Sequence, residues 1–215
     1  MKKLLLALQQ LKKSPLHSTV EARLAEFSSF VHKADSVWFS ELCFCILVAN
    51  AKFSTGFQIQ QTLGYNGFIT LPEEKLAAQI RLHKHRFHNT KAHYICQARG
   101  YTNIKSILTD LIPNHSRKNE EIARQWLVRH IKGIGYKEAS HFLRNTGSTH
   151  LAIVDRHIVN VLFRYRILLE KPKSITPKIY LEIEEKLEQL GKQIHMHQAE
   201  LDLYLWSMQT GQVLK

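Results

Sequence analysis

Acidic residues are scarce in this chain. Eighteen aspartates and glutamates stand against 30 lysines and arginines, which leaves a formal net charge of +12 over 215 residues. That imbalance points to a polyanionic partner, with a solvated basic surface as the plain alternative. Cysteine is scarcer still. Cys43, Cys45 and Cys96 form an odd set without framework spacing. A disulfide scaffold is thereby excluded, and a reducing cytosol fits. No stretch is long enough to span a membrane. The opening Met1-Lys2-Lys3-Leu4-Leu5-Leu6-Ala7-Leu8 is cut short by Gln9, Gln10, Lys12 and Lys13. It therefore reads as an amphipathic first helix and not as a secretory leader. Internal repeats and low-complexity segments are absent too. What remains is an ordinary globular chain, 44% hydrophobic, long enough for one compact domain or two small lobes.

Apolar residues recur at helical spacing through most of the chain. Leu4, Leu5, Leu8 and Leu11 mark the first helix. A second is expected over 36–50, with Trp38, Leu42, Cys45, Ile46 and Ala49 on one face. The segment 50–66, which holds two of the nine glycines, reads as a loop plus a short helix. Thr70-Leu71-Pro72-Glu73-Glu74 predicts a helix start with Thr70 as the cap. Another helix is expected over 89–100. Leu151-Ala152-Ile153-Val154 has the composition of a buried strand, but four residues do not decide it. Asp155 suits a helix N-cap. Thr176-Pro177 opens the next helix, and a last one starts near His197. The expected fold class is all-α.

The most informative segment is Lys132-Gly133-Ile134-Gly135-Tyr136-Lys137-Glu138-Ala139. Ile122, Trp126, Leu127 and Ile131 precede it at helical spacing, and Ala139, Phe142 and Leu143 follow. The pattern is helix, tight hairpin, helix. Glycine lets such a turn approach another molecule closely, and the following helix offers free amide groups to an anion such as a phosphate. Lys137 lies on the first turn of that helix. Eighteen residues later comes Asp155, in Val154-Asp155-Arg156-His157. An amine followed by a carboxylate makes a candidate nucleophile with an acidic partner.

These residues resemble the helix-hairpin-helix DNA glycosylases, whose pattern runs roughly G-[IV]-G-x-K-x-A and then V-D-x-H. The presence of Lys137 points to members that also nick the strand. The ending Trp206-Ser207-Met208-Gln209-Thr210-Gly211-Gln212-Val213-Leu214-Lys215, with Phe87-His88-Asn89-Thr90-Lys91-Ala92, is similar to the type-2 8-oxoguanine DNA glycosylase/AP lyases. The similarity covers residues 36 to the end. It implies two helical lobes with the active site in the cleft between them. One lobe is expected to span 36–154, the other to combine 1–35 with 155–215, so that Lys137 and Asp155 face each other. It also implies a duplex containing 8-oxoguanine as partner, a monomer, no cofactor, and a cytoplasmic protein that joins the nucleoid on binding DNA. Some relatives carry an iron–sulfur cluster on a C-terminal run of four cysteines; with no cysteine after Cys96, no such cluster is expected here.

Each residue has a plainer role beside the functional one. Lys137 is either the attacking amine, its charge lowered by partial burial and a helix N-terminus, or a solvated lysine. Asp155 stabilises an oxocarbenium-like state, caps a helix, or does both. Gly133, Ile134 and Gly135 are read as amides that hold a phosphate, which positions DNA without reading sequence. Lys132 reinforces that contact or is simply solvated. The resemblance assigns Phe87, Trp206 and Lys215 to the pocket for a flipped base; core packing is the rival for Trp206 and a frayed end for Lys215. His83, His85 and His88 do not form a coherent metal-ligand pattern, so a basic loop is favoured and no metal is expected. His157 reads as structural. Two other functions stay open: the same chemistry on oxidised pyrimidines, and a non-catalytic hairpin that binds DNA alone. Charge alone supports a helical RNA-binding protein.

Overall fold

The computed structural model describes residues 2–114 and 116–213, and all regular structure among them is helical. In chain order the α-helices are α1 (Lys2–Lys12), α2 (Leu16–Ser29), α3 (Asp35–Val48), α4 (Phe53–Thr70), α5 (Glu73–Leu82), α6 (His88–Ala98), α7 (Ile104–Leu111), α8 (Arg117–His130), α9 (Tyr136–Asn145), α10 (Arg156–Arg164), α11 (Pro177–Ile194) and α12 (Gln198–Thr210). Among the described residues no helix is long and apolar enough to cross a membrane.

The chain divides into two compact units: Val31–Leu143, and the residues up to Phe30 together with those from Arg144 on. The second junction thus falls at 143/144, ahead of the 154/155 expected. A reason lies in residues 151–154, which are held by α11 of the terminal unit.

The middle unit is built around α3. Ten of its fourteen residues are buried, so it is apolar all round, as a central helix must be. Helices α4, α6 and α7 pack on it. Close approach of α4 needs Gly56, where a Cβ would lie 2.5 Å from Val48 Cγ1. The segment expected to be mostly loop is in fact this eighteen-residue helix, bent where Gly64 takes φ 54°. Its glycines punctuate the helix without ending it. Thr70 is not the cap of α5: its hydroxyl donates back to Asn66 O at 2.7 Å, and α5 starts after Pro72 without a side-chain cap.

In the terminal unit, α1, α2, α10, α11 and α12 share one core. The covering helix α1 buries Leu4 and Leu8. His17 on α2 meets the Tyr204 hydroxyl of α12 through Nδ1 at 2.8 Å, and Lys12 pairs with Glu200 at 2.9 Å. Burial, then the Glu200 and Glu21 carboxylates, push the Tyr204 phenol up to about 12. The 151–154 segment is buried but forms no strand. Side chains of α11 replace a partner strand. The Ala152 amide donates to Glu184 Oε1 at 3.0 Å, the Val154 amide donates to Tyr180 Oη at 3.2 Å, and the Tyr180 hydroxyl donates to Ala152 O at 2.7 Å. Buried backbone groups need partners, and α11 supplies these three.

Candidate active site

Helices α8 and α9 and the turn between them form the expected helix-hairpin-helix. Ser116 caps α8 by accepting from the Asn119 amide at 3.4 Å. Ile131 and Ile134, buried at the two shoulders of the turn, anchor it to the core. Gly133 between them takes φ 83°, and a Cβ there would lie 2.3 Å from Tyr94 Cδ2. The left-handed backbone and the Tyr94 ring on the turn both require glycine. The Ile134 amide donates to Ile131 O at 3.4 Å, and the Gly135 amide to Glu138 Oε2 at 3.4 Å. Both are long bonds, while the first turn of α9 still presents amides without intrahelical acceptors. Lys132 is exposed beside the turn.

Lys137 is the second residue of α9, with its side chain 28% exposed and Nζ 3.5 Å from Glu138 Oε1. Glu138 therefore does two things. One oxygen reaches back to the residue before the helix, as the acid of a capping box does; the other faces the lysine. Behind them, Arg124 of α8 is buried, donates to Ser140 Oγ at 3.3 Å and lies 5.1 Å over the Tyr136 ring. The two helices are braced by this contact.

A second lysine belongs to the same neighbourhood. Lys91, on the first turn of α6, is only 5% exposed. Its amine has no hydrogen bond or ion pair among the described residues. Burial pushes the Lys91 ammonium down from its ordinary 10.5 to about 8; the Glu138 carboxylate opposes this and the Lys137 ammonium adds to it.

In the terminal unit Asp155 is a half-buried N-cap of α10. Its Oδ1 accepts from the amides of His157 at 2.8 Å and Ile158 at 2.9 Å. The cap fixes one oxygen. His157 then meets Trp206 of α12 edge to face, ring centroids 4.7 Å apart. The Trp206 Nε1 and His157 Nδ1 atoms are buried without hydrogen-bond partners among the described residues. Phe87, in the middle unit, precedes α6 with the Arg86 guanidinium 4.3 Å over its ring. Lys215 lies outside the described residues.

The histidines near Phe87 are not a uniform basic loop. His85 is 3% exposed. Its Nδ1 accepts from the Phe87 amide at 3.1 Å, so its Nε2–H donates to Leu47 O at 2.9 Å. Burial is the main force lowering its pKa, opposed by the Leu47 bond and aided by Lys91 and His88. His88 donates in turn to His85 O at 3.2 Å. His85 thus ties the approach to α6 onto α3.

Sequence reasoning missed Glu138, Tyr94 and Lys91 as parts of this site. Glu138 had a signal, an acid three residues after Gly135. Tyr94 had none. Lys91 carried none of its own, since lysine is usually exposed.

Comparison with known proteins places these features in a family. A family profile described as 8-oxoguanine DNA glycosylase matches residues 20–196. The 8-oxoguanine DNA glycosylase/AP lyase of Methanocaldococcus jannaschii is 46% identical over 208 residues, 97% of each chain. The crystal structure of the M. jannaschii 8-oxoguanine glycosylase/lyase with a 15mer DNA containing 8-oxoguanine superposes with TM-score 0.92, at 44% identity, covering 99% of this chain and 100% of that one. The 8-oxoguanine DNA glycosylase of Thermotoga maritima superposes with TM-score 0.88 at 35% identity, over 100% and 99% of the two chains.

Proposed function

This chain belongs to the 8-oxoguanine DNA glycosylase family, and on that premise we propose that it excises 8-oxoguanine from duplex DNA and then nicks the abasic strand. The observation that carries the reading is Lys137, an amine on the first turn of α9 directly after the glycine hairpin. The chemistry follows from an amine there. The hairpin and the amides of α9 hold a backbone phosphate, with Lys132 beside them, and the damaged nucleotide leaves the stack. The neutral Lys137 amine attacks deoxyribose C1′. The C1′–N bond breaks and its electron pair departs with the base. Loss of the amine proton and opening of the sugar give an imine. Removal of a C2′ proton then expels the 3′ phosphate by β-elimination.

Asp155 supplies the negative charge that stabilises the oxocarbenium-like state. Its hydrogen bonds to two α10 amides hold that carboxylate in one orientation. To Phe87, Trp206 and Lys215 we assign contacts with the flipped base. Trp206 is the best supported of the three, because a partly buried indole whose buried N–H has no partner among the described residues has both a face to offer and a bond to make. Amine and carboxylate suffice for every step, and the reaction draws on no cofactor.

The test is covalent trapping. Incubation with a duplex holding one 8-oxoguanine, followed by borohydride, should give a stable protein–DNA band, and Lys137→Gln should abolish it while retaining DNA binding. Equal trapping by the variant would remove Lys137 from its role. A band on an abasic site but none on 8-oxoguanine would keep the lyase and move the base specificity, oxidised pyrimidines included. No band on either substrate would leave a DNA-binding protein.

A further inference from the structure

Five residues, 83–87, join α5 to α6, and one side chain holds the turn they make from its inside. Lys84 takes the left-handed φ of 58°, which a residue with a Cβ adopts only where its surroundings require it. Its amide donates to Arg81 O at 2.8 Å. His85 follows, turned inward to 3% exposure, and Arg86 after it is exposed. Both ring nitrogens of His85 are used. Nε2 donates to Leu47 O at 2.9 Å, one of the last α3 carbonyls, which a helix leaves without a donor of its own. Nδ1 accepts from the Phe87 amide at 3.1 Å. That amide is two residues on, the spacing at which an Asx turn uses a side-chain oxygen. Only the neutral ring with its proton on Nε2 makes both bonds.

Phe87 depends on that bond. It is the residue before α6, and its side chain gives the helix no cap. Its amide precedes the α6 ladder and takes no part in it. The Phe87 ring is centred 6.5 Å from the His85 ring at 61° and carries the Arg86 guanidinium 4.3 Å over it. His88, the first residue of α6, donates back to His85 O at 3.2 Å. Residues 85–88 are thus one bonded unit, and the Leu47 carbonyl moors it to α3.

We propose that His85 is a positioning residue for base excision: by joining the end of α3 to the Phe87 amide, it sets the direction in which the Phe87 ring meets the flipped base. An aromatic ring gains most from stacking when its backbone is ordered beforehand, because ordering a loose loop on binding subtracts from the contact. The two His85 bonds supply that order. This inference rests on the assignment of Phe87 to the flipped base.

The experiment compares single-turnover base release from a duplex holding one 8-oxoguanine with imine trapping on a preformed abasic duplex, which has no base for Phe87 to meet. His85→Gln puts an amide N–H where Nε2 stood and takes the acceptor from the Phe87 amide. His85→Asn does the reverse: it puts an oxygen where Nδ1 stood and gives up Leu47 O. His85→Gln should slow base release about tenfold and leave abasic trapping within about twofold, the size of one hydrogen bond. His85→Asn should lose stability in urea, because it strands a buried carbonyl, yet keep the wild-type ratio of the two rates. Phe87→Ala should lower that ratio, and adding His85→Gln to it should lower it no further. If His85→Gln fails to fold, His85→Asn carries the test, and a ratio as low as that of Phe87→Ala overturns the proposal. Equal losses on both substrates, or a ratio that follows urea stability across the two variants, would show a merely structural histidine and overturn it too. A Phe87→Ala ratio equal to wild type removes Phe87 from the base, and the role of His85 falls with it. A lowered ratio in Phe87→Ala beside an unchanged one in His85→Gln overturns only the role of His85.

Discussion

Two cations are buried to the same depth in the two units and treated in opposite ways. Arg144, in the terminal unit, is 4% exposed, and Lys91, in the middle unit, 5%. The Arg144 guanidinium donates to the Asp202 carboxylate and to Asn145 Oδ1 at 3.2 and 2.9 Å, and it lies 4.8 Å over the Phe27 ring. Its fork of donors is matched. Lys91 has one carboxylate at a distance and a like charge near it. A buried charge that is fully answered makes structure; one left short of partners stores free energy that chemistry can draw on.

Breaking the answered charge should have the larger effect. Arg144→Met takes the guanidinium away from the buried Asp202 carboxylate and should cost about 3–5 kcal/mol in urea unfolding. A loss below about 1 kcal/mol would erase the contrast. Lys91→Met should act in the opposite direction and stabilise the fold by on the order of 2 kcal/mol at neutral pH. The folded pKa near 8 lies below the unfolded 10.5, so between these values the unfolded chain holds more protons and wild-type stability rises with pH. The advantage of the variant is therefore full below about pH 8 and fades as pH climbs through the unfolded value. A variant less stable than wild type at neutral pH would show that Lys91 is well accommodated after all. Exposed Lys132 supplies the smallest effect. Lys132→Ala should change stability by no more than ~0.5 kcal/mol and lower the salt slope of DNA binding by about one. An unchanged slope would place Lys132 off the DNA.

Most helices were legible because their apolar spacing is regular, and three caps, at Asp155, Thr176 and His197, sit at the starts the sequence predicts. Failures cluster where one residue type has two uses. Glycines in 50–66 suggested a loop, yet Gly56 serves close packing and Gly64 only bends the helix. Helix α2 escaped notice because only Val20 and Phe27 of it are buried. In the site, the hairpin and Lys137 could be found from spacing alone. The burial of Lys91 could not, because it depends on Tyr94 and the hairpin meeting across 39 residues of sequence, from 94 to 133.

The side-chain clamp on residues 151–154 has a consequence for solvent access. Slow amide hydrogen exchange is usually credited to ladders and helices, but it reports the stability of whatever partner holds the proton. Ala152 and Val154 give theirs to Glu184 and Tyr180, so an exchange map of the protein should show strand-like protection where there is no strand. The residue before Asp155 is held there by a phenolic oxygen 26 positions away, so α11 steadies the backbone that leads into the α10 cap.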